Sequence, residues 1–595
     1  MKVSDYIVEF IKSHNVDTVF GYQGGAITHL VDSIYKSNDI KYVSLMNEQS
    51  AAFAAEGYSR ISENIGVAIA TSGPGATNLI TGIGSCFFDS IPCVFITGQV
   101  NTYEQKRSAS IRQEGFQEAD IVKMVESITK YSISIKDVKD IRFHLEKAFF
   151  LAKHERGGPV LLDIPMDIQR SDINIEDLKS FYQDDEYKKL NNKKIDYTKL
   201  DEQITSLVSL IKNSERPIFL CGGGIRLSSS INLLKKITNI TDIPIVTSLM
   251  GLDSISCEEK NRIGFMGVYG NRFSNLSVAN SDLLIVLGSR LTTRQTGPNV
   301  STFAKYAKIV HVDIDNNELN LKLKEDISIN CDLNIFLDKF LLKLKKDNYQ
   351  YDFSKWKEHI NYYKEKYPSY PTQKNDKGID PNEIINYISK LCKNKTIFTL
   401  DVGQNQIWAA QSLYIKDNDR VLTSGGMGAM GFSLPSAIGA YYANKNADII
   451  AIVGDGGLQM NIQELQVIFR DNIPLKIILL NNECLGMIRH FQELYFNRNY
   501  FGTIDGYESP DFNSIFKAYK IDSIKIDNSR DTYKIEEILK QKKSYLIEIL
   551  LGKNTYVIPK LEMGRPIEDQ SPLLDRYELS QNMIAISQKY NDIEN

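Results

Sequence analysis

The chain has 595 residues, with 70 Lys and Arg against 74 Asp and Glu, a formal net charge of −4 at pH 7. This length indicates several domains with separate cores, and the balanced charge without a long basic block argues against a nucleic-acid-binding surface. We expect no membrane span and no signal peptide, because no apolar run is long enough to cross a bilayer. The seven scattered cysteines form no CxxC pair and favour a reducing cytoplasm, and the seven histidines show no zinc-ligand spacing.

The first block of the chain contains a strand, a glycine turn and a carboxylate at a strand-to-helix junction. Val19–Gly21 leads into Tyr22-Gln23-Gly24-Gly25, and a helical stretch begins near Ile27. Tyr42–Met46 reads as a strand, and Asn47-Glu48-Gln49 separates it from an alanine-rich helix. A carboxylate there could simply favour the helix N-terminus, and the residues alone leave that explanation standing.

Two further strands of this block surround another glycine turn. Gly66–Ala70 reads as a buried strand, and the sequence TSGPGATN follows it at residues 71–78. We expect Asn78 to open the next helix, and Ile91–Thr97 to form a further strand. The glycines indicate that backbone comes close to another group at this turn.

The middle block has a Rossmann-like outline. The strand Pro217–Leu220 runs into Cys221-Gly222-Gly223-Gly224, and the later strand Lys308–Asp315 ends in acids. Asp313 is placed where an acid could accept from ribose hydroxyls. Because the GxGxxG spacing is missing, this pattern by itself is a weak indication of a nucleotide site.

The third block contains one clear βαβ unit. The apolar run Ile449–Val453 ends in Gly454-Asp455-Gly456, and a second apolar strand, Leu475–Leu480, ends in Asn481-Asn482. We expect the connecting helix at Asn461–Asp471. Asp455 and Asn482 then lie at the carboxyl ends of neighbouring parallel strands, where such sheets bind ligands. A carboxylate, an amide oxygen and a nearby carbonyl suit Mg²⁺, although a lone GDG turn and a strand cap are common features.

Two polar stretches divide the chain. Residues 171–199 and 345–377 have no apolar period, and the second contains Pro368 and Pro371. We therefore predict an α/β protein of three doubly wound parallel-sheet (Rossmann-like) domains, at 1–170, 200–344 and 378–555, followed by a C-terminal tail at 556–595.

Several motifs resemble one enzyme family in the same order along the chain. They are NEQSAAFAAEGYSR, TSGPGATNLITGIGSCFFDSIPCVFITGQV, GFQEADIV, GGPVLLDIP, TSLMGLDSI, LTSGGMGAMGFSLPSAIGA and GDGGLQMNIQEL. The chain is similar, over roughly residues 1–555, to the catalytic subunits of acetolactate synthases, which use thiamine diphosphate (ThDP). The resemblance implies that the three domains bind the ThDP pyrimidine, FAD, and the ThDP diphosphate with Mg²⁺. It implies a structural, non-redox flavin.

The resemblance also implies roles for individual residues. Glu48 would hydrogen-bond the aminopyrimidine ring and favour the imino tautomer, whose nitrogen removes the C2 proton. Met430 would wedge the two cofactor rings together, and Gly25 and Gln117 would face the reacting centre. The implied Mg²⁺ ligands are Asp455, Asn482 and the Cys484 carbonyl. The other implied ThDP contacts are Tyr22, Gly24, Pro74, Asn78, Gln404, Gly428, Gly454, Gly456, Gly457, Gly486 and Met487. The implied FAD contacts are Gly222, Gly223, Leu249, Met250, Gly267, Gly288, Arg290, Arg294, Asp313 and Asp332.

The chain departs from the family's usual pattern mainly in residues outside the cofactor motifs. Five departures are single or clustered substitutions, and the sixth is the ending from Pro559, PKLEMGRPIEDQSPLL. The substitutions are Gln23 for proline, Met166 for lysine, Val268-Tyr269 for Met-His, Leu291-Thr292-Thr293 for Phe-Asp-Asp, and Phe491 for tryptophan.

These differences leave the donor chemistry intact and put the acceptor in question. The resemblance implies a carboligase that decarboxylates pyruvate and transfers the two-carbon hydroxyethyl unit to a second 2-ketoacid, whose carboxylate Arg294 would hold. The alternatives are a keto nucleotide-sugar acceptor in surface-polysaccharide biosynthesis, a pyruvate oxidase, or an inactive ThDP-binding subunit. The family pattern further implies a homodimer or homotetramer, with or without a small regulatory subunit.

Overall fold

The computed structural model describes residues 1–108, 110–192, 195–370, 378–393 and 395–585. Three parallel six-stranded sheets with flanking helices follow one another along the chain. This confirms the prediction of three doubly wound α/β domains. Among the described residues, no helix is both long and apolar enough to cross a membrane.

The first sheet is built from alternating strands and helices, and its strand order is β2-β1-β3-β4-β6-β5. Its strands are β1 Thr18–Gly21, β2 Lys41–Ser44, β3 Gly66–Ala70, β4 Cys93–Gln99, β5 Tyr131–Ser134 and β6 Val160–Pro165. Its helices are α1 Val3–Ser13, α2 Thr28–Ser37, α3 Glu48–Ser62, α4 Pro74–Asn78, α5 Ile80–Asp89, α6 Ile121–Val125, α7 Ile141–Lys153, α8 Met166–Arg170 and α9 Asp185–Asn191. Successive residues of β3 enter different apolar cores, Val67 one and Ala68 the other, so both faces of the sheet are covered.

The central sheet has the strand order β12-β11-β10-β7-β8-β9. Its strands are β7 Pro217–Cys221, β8 Ile245–Thr247, β9 Arg262–Phe265, β10 Leu283–Leu287, β11 Lys308–Asp313 and β12 Ile327–Asn330. Its helices are α10 Tyr197–Lys212, α11 Gly224–Leu227, α12 Ile231–Thr241, α13 Arg272–Asn280, α14 Thr293–Thr296, α15 Leu333–Asp347 and α16 Ser354–Lys366.

The third sheet has the strand order β14-β13-β15-β16-β18-β17. Its strands are β13 Thr396–Leu400, β14 Arg420–Thr423, β15 Asp448–Gly454, β16 Lys476–Asn481, β17 Asp522–Ile526 and β18 Tyr545–Leu550. Its helices are α17 Pro381–Leu391, α18 Gln404–Ser412, α19 Ser433–Ala443, α20 Asp455–Met460, α21 Leu465–Arg470, α22 Gly486–Tyr495, α23 Phe512–Ala518 and α24 Lys534–Leu539.

Helix α3 of the first domain packs against helix α19 of the third domain. Gly57 faces the backbone of Ser436 and Gly439 faces the backbone of Ala54, so neither position has room for a side chain. One apolar core continues through both domains. The first and third domains of one chain are therefore joined along these two helices.

The stretches predicted as linkers contain more structure than their composition indicates. Helix α16 falls within 345–377, and its residues Trp356, Ile360 and Tyr363 are buried in the core of the central domain. The second polar stretch therefore carries a packed helix, whose apolar face is interspersed among lysines and tyrosines. Residues 371–377 lie outside the described residues.

The predicted C-terminal tail is also folded through residue 585. It forms the antiparallel pair β19 Lys560–Leu561 and β20 Gln570–Ser571, and then helix α25 Arg576–Asn582. Leu561 and Ile567 join the central core, and Tyr363 Oη donates to the Asn582 carbonyl at 2.8 Å. The segment thus packs on the central domain, and the last ten residues lie outside the described part.

Candidate active site

The carboxyl edge of the third sheet brings Asp455 and Asn482 to one place. Strands β15 and β16 pair with Gly454 opposite Leu480, so each polar residue lies just beyond its strand. Asp455 is the first residue of α20, six residues earlier than the sequence predicts the helix to begin. The loop after α22 supplies two donors to Asp455 Oδ2, Tyr507 Oη at 2.9 Å and Ser509 Oγ at 2.6 Å. Burial raises the pKa of Asp455, while these two hydrogen bonds lower it.

The Asn482 side chain is oriented by a hydrogen bond. Its Nδ2 donates to Gln404 Oε1 at 2.7 Å, which leaves its Oδ1 as the group that can face a cation. The Cys484 carbonyl accepts from Gly486 N at 2.9 Å. A Cβ at residue 486 would displace the Gln404 amide that orients Asn482, because the Gln404 side chain occupies that space. One carboxylate, one amide oxygen and one carbonyl fit Mg²⁺ that also binds phosphates and water.

A turn before α19 places Met430 beside this edge. The Met430 Cε lies 3.3 Å from the position that a Cβ on Gly456 would take. Buried Asp401 fixes the turn, because its carboxylate accepts from Gly431 N and Ser433 N at 3.0 Å each. Burial raises the pKa of Asp401 to about 6. Gly428 has φ +65°, a conformation that favours glycine.

Glu48 is the first residue of helix α3 and is buried. Asn47 caps the helix by accepting from Gln49 N at 2.8 Å, so the cap does not depend on Glu48. Asn78 Nδ2 instead donates to Glu48 Oε2 at 2.9 Å. Asn78 ends α4 instead of opening a helix as the sequence predicts. Pro74 begins α4, and the Cβ position of the next residue, Gly75, lies 3.0 Å from Glu48 Oε1.

The remaining first-domain residues line the same sheet edge. Gly24 packs on the Thr71 side chain, and Thr71 Oγ1 accepts from Ala26 N at 3.1 Å. Gly25 faces open space. Gln117 has φ +64°, and its carbonyl oxygen lies 2.9 Å from the Cβ position of Gly73. We call Tyr22, Gly24, Gly25, Glu48, Pro74, Asn78 and Gln117 the first-domain group.

A cavity of about 970 Å³ lies where the three domains meet. Eight predicted flavin contacts line it, namely Gly223, Leu249, Met250, Gly288, Arg290, Arg294, Asp313 and Asp332. Gly222 and Gly267 are not among its described lining residues. Gly222 packs on the Gly288 backbone, one layer away from the cavity. Gly267, at φ +124°, packs on the Arg294 carbonyl. Ser248 lines the cavity with a buried hydroxyl that has no partner among the described residues, which fits a polar ligand such as FAD.

The same cavity reaches the third domain but not the first-domain group. Gly428, Met430 and Met487 line it, and none of the described residues of the first-domain group does. Within one chain, the two halves of the predicted ThDP site therefore do not share this cavity.

Several departures from the family pattern meet at one wall. Leu561 N donates to the Val268 carbonyl at 2.7 Å, and Val268 N donates to the Arg294 carbonyl at 2.9 Å. The Arg294 guanidinium lies 5.4 Å from the centre of the Tyr269 ring. We call Val268, Tyr269, Arg294 and the strand Lys560–Leu561 the acceptor wall.

Phe491, Gln23 and Met166 are not part of this wall. Phe491 is exposed on α22. Gln23 lies in the exposed turn after β1, and Met166 begins α8.

Sequence reasoning missed Tyr507, Ser509, Arg156 and Lys560. Tyr507 and Ser509 lie in a loop that contains no recognisable motif, and they meet Asp455 only in the folded chain. Arg156 lines the main cavity and bonds Asp315 at 2.8 Å, which links the first and central domains. The family motif GGPVLLDIP begins directly after Arg156, and this proximity could have pointed to Arg156 as a site residue.

Comparisons with known proteins agree across the whole chain. Three family models match: the N-terminal TPP binding domain of thiamine pyrophosphate enzymes at 1–124, their central domain at 204–340, and their C-terminal TPP binding domain at 401–549. The acetolactate synthase large subunit of Lactococcus lactis is 36% identical over 565 residues, which cover 94% of each chain. That of Cyanidium caldarium is 35% identical, with 94% of each chain covered. The chloroplastic acetolactate synthase of Arabidopsis thaliana is 36% identical, over 96% of this chain and 84% of its own. The chain belongs to the acetolactate synthase family of thiamine diphosphate enzymes.

Proposed function

We propose that the protein is a carboligase that decarboxylates pyruvate and transfers the two-carbon unit to a second 2-ketoacid, giving acetolactate when the acceptor is pyruvate. The observation that carries this proposal is the position of Arg294. Its guanidinium is on the wall of the cavity that Met430 and Met487 also line, and no described carboxylate pairs with it. A guanidinium without a carboxylate partner is suited to bind the carboxylate of a 2-ketoacid in a bidentate manner.

The residues of the chain fit the family's cofactors. Asp455, Asn482 and the Cys484 carbonyl would hold Mg²⁺, with Tyr507 and Ser509 orienting the carboxylate. Bound ThDP would supply the electron sink for the loss of CO₂. Glu48 would hold a proton at the far ring nitrogen of the pyrimidine, in the orientation that Asn78 fixes. FAD would occupy the central-domain cavity as a structural group.

The test is an assay with the purified protein, Mg²⁺, ThDP, FAD and pyruvate, followed by product identification by mass spectrometry. We expect acetolactate and CO₂. Release of CO₂ with acetate and consumption of O₂ would instead identify an oxidase. Glu48→Gln should keep ThDP bound while slowing proton–deuterium exchange at C2, and exchange at the wild-type rate would remove Glu48 from this role.

A second candidate acceptor is a keto nucleotide sugar. It is favoured by the convergence of the Val268-Tyr269 change and the altered C-terminal segment on the wall beside Arg294. Repeating the assay with 4-keto nucleotide sugars distinguishes the two, since a branched sugar product would replace acetolactate.

We also propose that the active sites are shared between two chains of at least a homodimer in the cytoplasm. Two observations support it: the first-domain group does not line the cavity of its own chain, and Phe116, next to Gln117, is 84% exposed. The seven cysteines are unpaired, as a reducing compartment requires.

Mixing inactive chains tests the shared site. Glu48→Gln and Asp455→Ala chains, exchanged into heterodimers, would form one doubly damaged and one wild-type site, so activity should partly return. If each site were built within one chain, the mixture would stay as inactive as its parents.

A further inference from the structure

Arg489 is a buried arginine near the start of helix α22, directly after the loop that carries two of the predicted metal ligands. It is only 1% exposed. Its Nη1 and Nη2 donate to the carbonyls of Lys553 and Thr555, the second at 3.1 Å. Its guanidinium lies 4.4 Å from the centre of the Tyr556 ring. Among the described residues, no carboxylate forms an ion pair with it. The guanidinium therefore holds the backbone of residues 553–556 instead of neutralising an acid.

The same two carbonyls accept hydrogen bonds from the predicted metal site. Gln404 Nε2 donates to the Thr555 carbonyl at 3.2 Å, and Gln404 Oε1 accepts from Asn482 Nδ2 at 2.7 Å. The Cys484 thiol makes a weak hydrogen bond to the Lys553 carbonyl, with Sγ at 3.9 Å from the oxygen. Each of the two neutral metal ligands is thus connected to one of the carbonyls that the guanidinium holds.

The segment at residues 553–556 lies between helices α18 and α22. Gln404 and Trp408 of α18 bind it from one side, and Trp408 Nε1 donates to the Tyr556 carbonyl at 2.9 Å. The guanidinium binds it from the side of α22. The segment belongs to no strand, since β18 ends at Leu550. Its position therefore depends on these side-chain contacts, and loss of the guanidinium removes the hydrogen bonds from α22.

We propose that Arg489 is a positioning residue for the metal ion. By fixing the two carbonyls it holds the Gln404 amide, which turns Asn482 Oδ1 towards the cation, and it holds the Cys484 loop. This inference rests on the proposed function, which assigns Mg²⁺ to Asp455, Asn482 and the Cys484 carbonyl. Groups that orient metal ligands typically change metal affinity by about 10- to 100-fold, so we expect a loss near the lower limit.

The experiment is a Mg²⁺ titration of the full chain in the presence of excess ThDP, measured by isothermal titration calorimetry. Arg489→Met should raise the apparent Kd for Mg²⁺ about tenfold. Arg489→Lys should raise it about threefold, because an ammonium is a compact donor that reaches one of the two carbonyls. A Kd for Arg489→Met within about twofold of the wild type would overturn the proposal. If Arg489→Met does not fold, Arg489→Lys decides, and a Kd equal to that of the wild type overturns it.

Arg272 provides a matched control in the central domain. It is also buried, its Nη2 donates to the Pro572 carbonyl, and its guanidinium lies 5.9 Å from the centre of the Tyr367 ring. None of its described contacts reaches the metal loop. Arg272→Met and Arg489→Met should both lower stability in urea, and only Arg489→Met should weaken Mg²⁺ binding. An equal rise of the Kd in both variants would show a general loosening of the fold and overturn the proposal.

A double-mutant cycle tests whether Arg489 acts through Gln404. Gln404→Leu breaks the connection between Thr555 and Asn482 and should weaken Mg²⁺ binding by itself. In that background Arg489→Met should raise the Kd by no more than about threefold, because only the contact with Cys484 remains to be lost. A full tenfold effect in the Gln404→Leu background would show that the two residues act independently, which the proposal excludes.

Asp455→Ala separates this inference from the proposed function. If the wild type binds no Mg²⁺ with ThDP, or Asp455→Ala binds it equally well, the proposed metal site is wrong and the inference fails with it. If Asp455→Ala loses Mg²⁺ while Arg489→Met retains wild-type affinity, the metal site stands and this inference alone is overturned.

Discussion

Asp89 holds together the first and third domains and the turn that leads to Gly428. Its carboxylate is fully buried at the end of α5 and accepts from Gly425 N and Gly426 N at 2.8 Å each. Arg60, which is 7% exposed at its side chain, also donates to it at 3.0 Å. We expect Asp89→Asn, which keeps the shape and removes the charge, to destabilise the protein strongly.

The expected loss of stability follows from replacing a carboxylate, which has two acceptor oxygens and a charge, with a neutral amide. Asparagine has one acceptor oxygen, so its NH₂ group must face one of the two glycine N–H groups, and a charge-assisted bond of about 1.5–3 kcal/mol is lost. Arg60 keeps Glu56 as a partner but loses its second buried carboxylate. Breaking a buried pair costs about 3–5 kcal/mol, and because the two losses overlap we expect about 3–5 kcal/mol in total.

Urea denaturation followed by the fluorescence of the two buried tryptophans, Trp356 and Trp408, measures this change. Asp39→Asn is the matched control, since its pair with Lys12 is about half exposed and should contribute only a small fraction of that energy. Equal, small effects of the two variants would refute the reasoning. Because the Asp89 turn continues to Gly428, ThDP affinity should fall in Asp89→Asn and not in the control.

Further predictions concern the metal site and the contact between domains. Asp455→Ala should abolish binding of the ThDP diphosphate, because the phosphates lose their cation; unchanged affinity in a Mg²⁺ titration would place the metal elsewhere. Tyr507→Phe removes one donor to Asp455 and should weaken Mg²⁺ binding about tenfold, and equal affinity would show that this hydrogen bond is unimportant. Glu464 accepts from Met46 N at 3.1 Å across the domain contact, and burial raises its pKa to about 7 from 4.5. The folded state then holds the proton more tightly, so this contribution is complete below about pH 4.5 and is lost as the pH rises through about 7. Glu464→Gln should flatten the decline of urea stability between pH 5 and 8, and an unchanged profile would contradict this assignment.

The sheets could be predicted because a buried parallel strand has a short, local sequence pattern, a run of apolar and mostly β-branched residues. Gly66–Ala70 is predicted to the residue, and the strand predicted at Ile449–Val453 extends by one residue at each end. The positions of Asp455 and Asn482 followed from topology, since carboxyl ends of neighbouring parallel strands share an edge. The resemblance then supplied the roles, which spacing alone did not provide.

The parts that were not predicted depend on contacts between distant segments. Helix α16 carries Trp356, Ile360 and Tyr363 on one face, a period that the surrounding lysines obscure. The C-terminal segment has no long apolar run, and Leu561 is buried only because the central domain provides the surface. The donors Tyr507 and Ser509 are likewise remote in sequence from the carboxylate that they orient.

The acceptor wall and the cofactor residues are built in different ways, and this difference explains how one can change without the other. Asp455 and Asn482 follow strands whose register the sheet fixes, so the positions of these two cofactor residues do not depend on the wall. The wall is joined mainly by backbone hydrogen bonds, from Leu561 to Val268 and from Val268 to Arg294, which do not depend on side-chain identity. Side chains at 269 and 560 can therefore vary while the backbone keeps Arg294 in place. Substitution of these side chains should therefore alter the choice of acceptor. The rate of donor decarboxylation should stay unchanged, because it depends on the cofactor residues at the sheet edges.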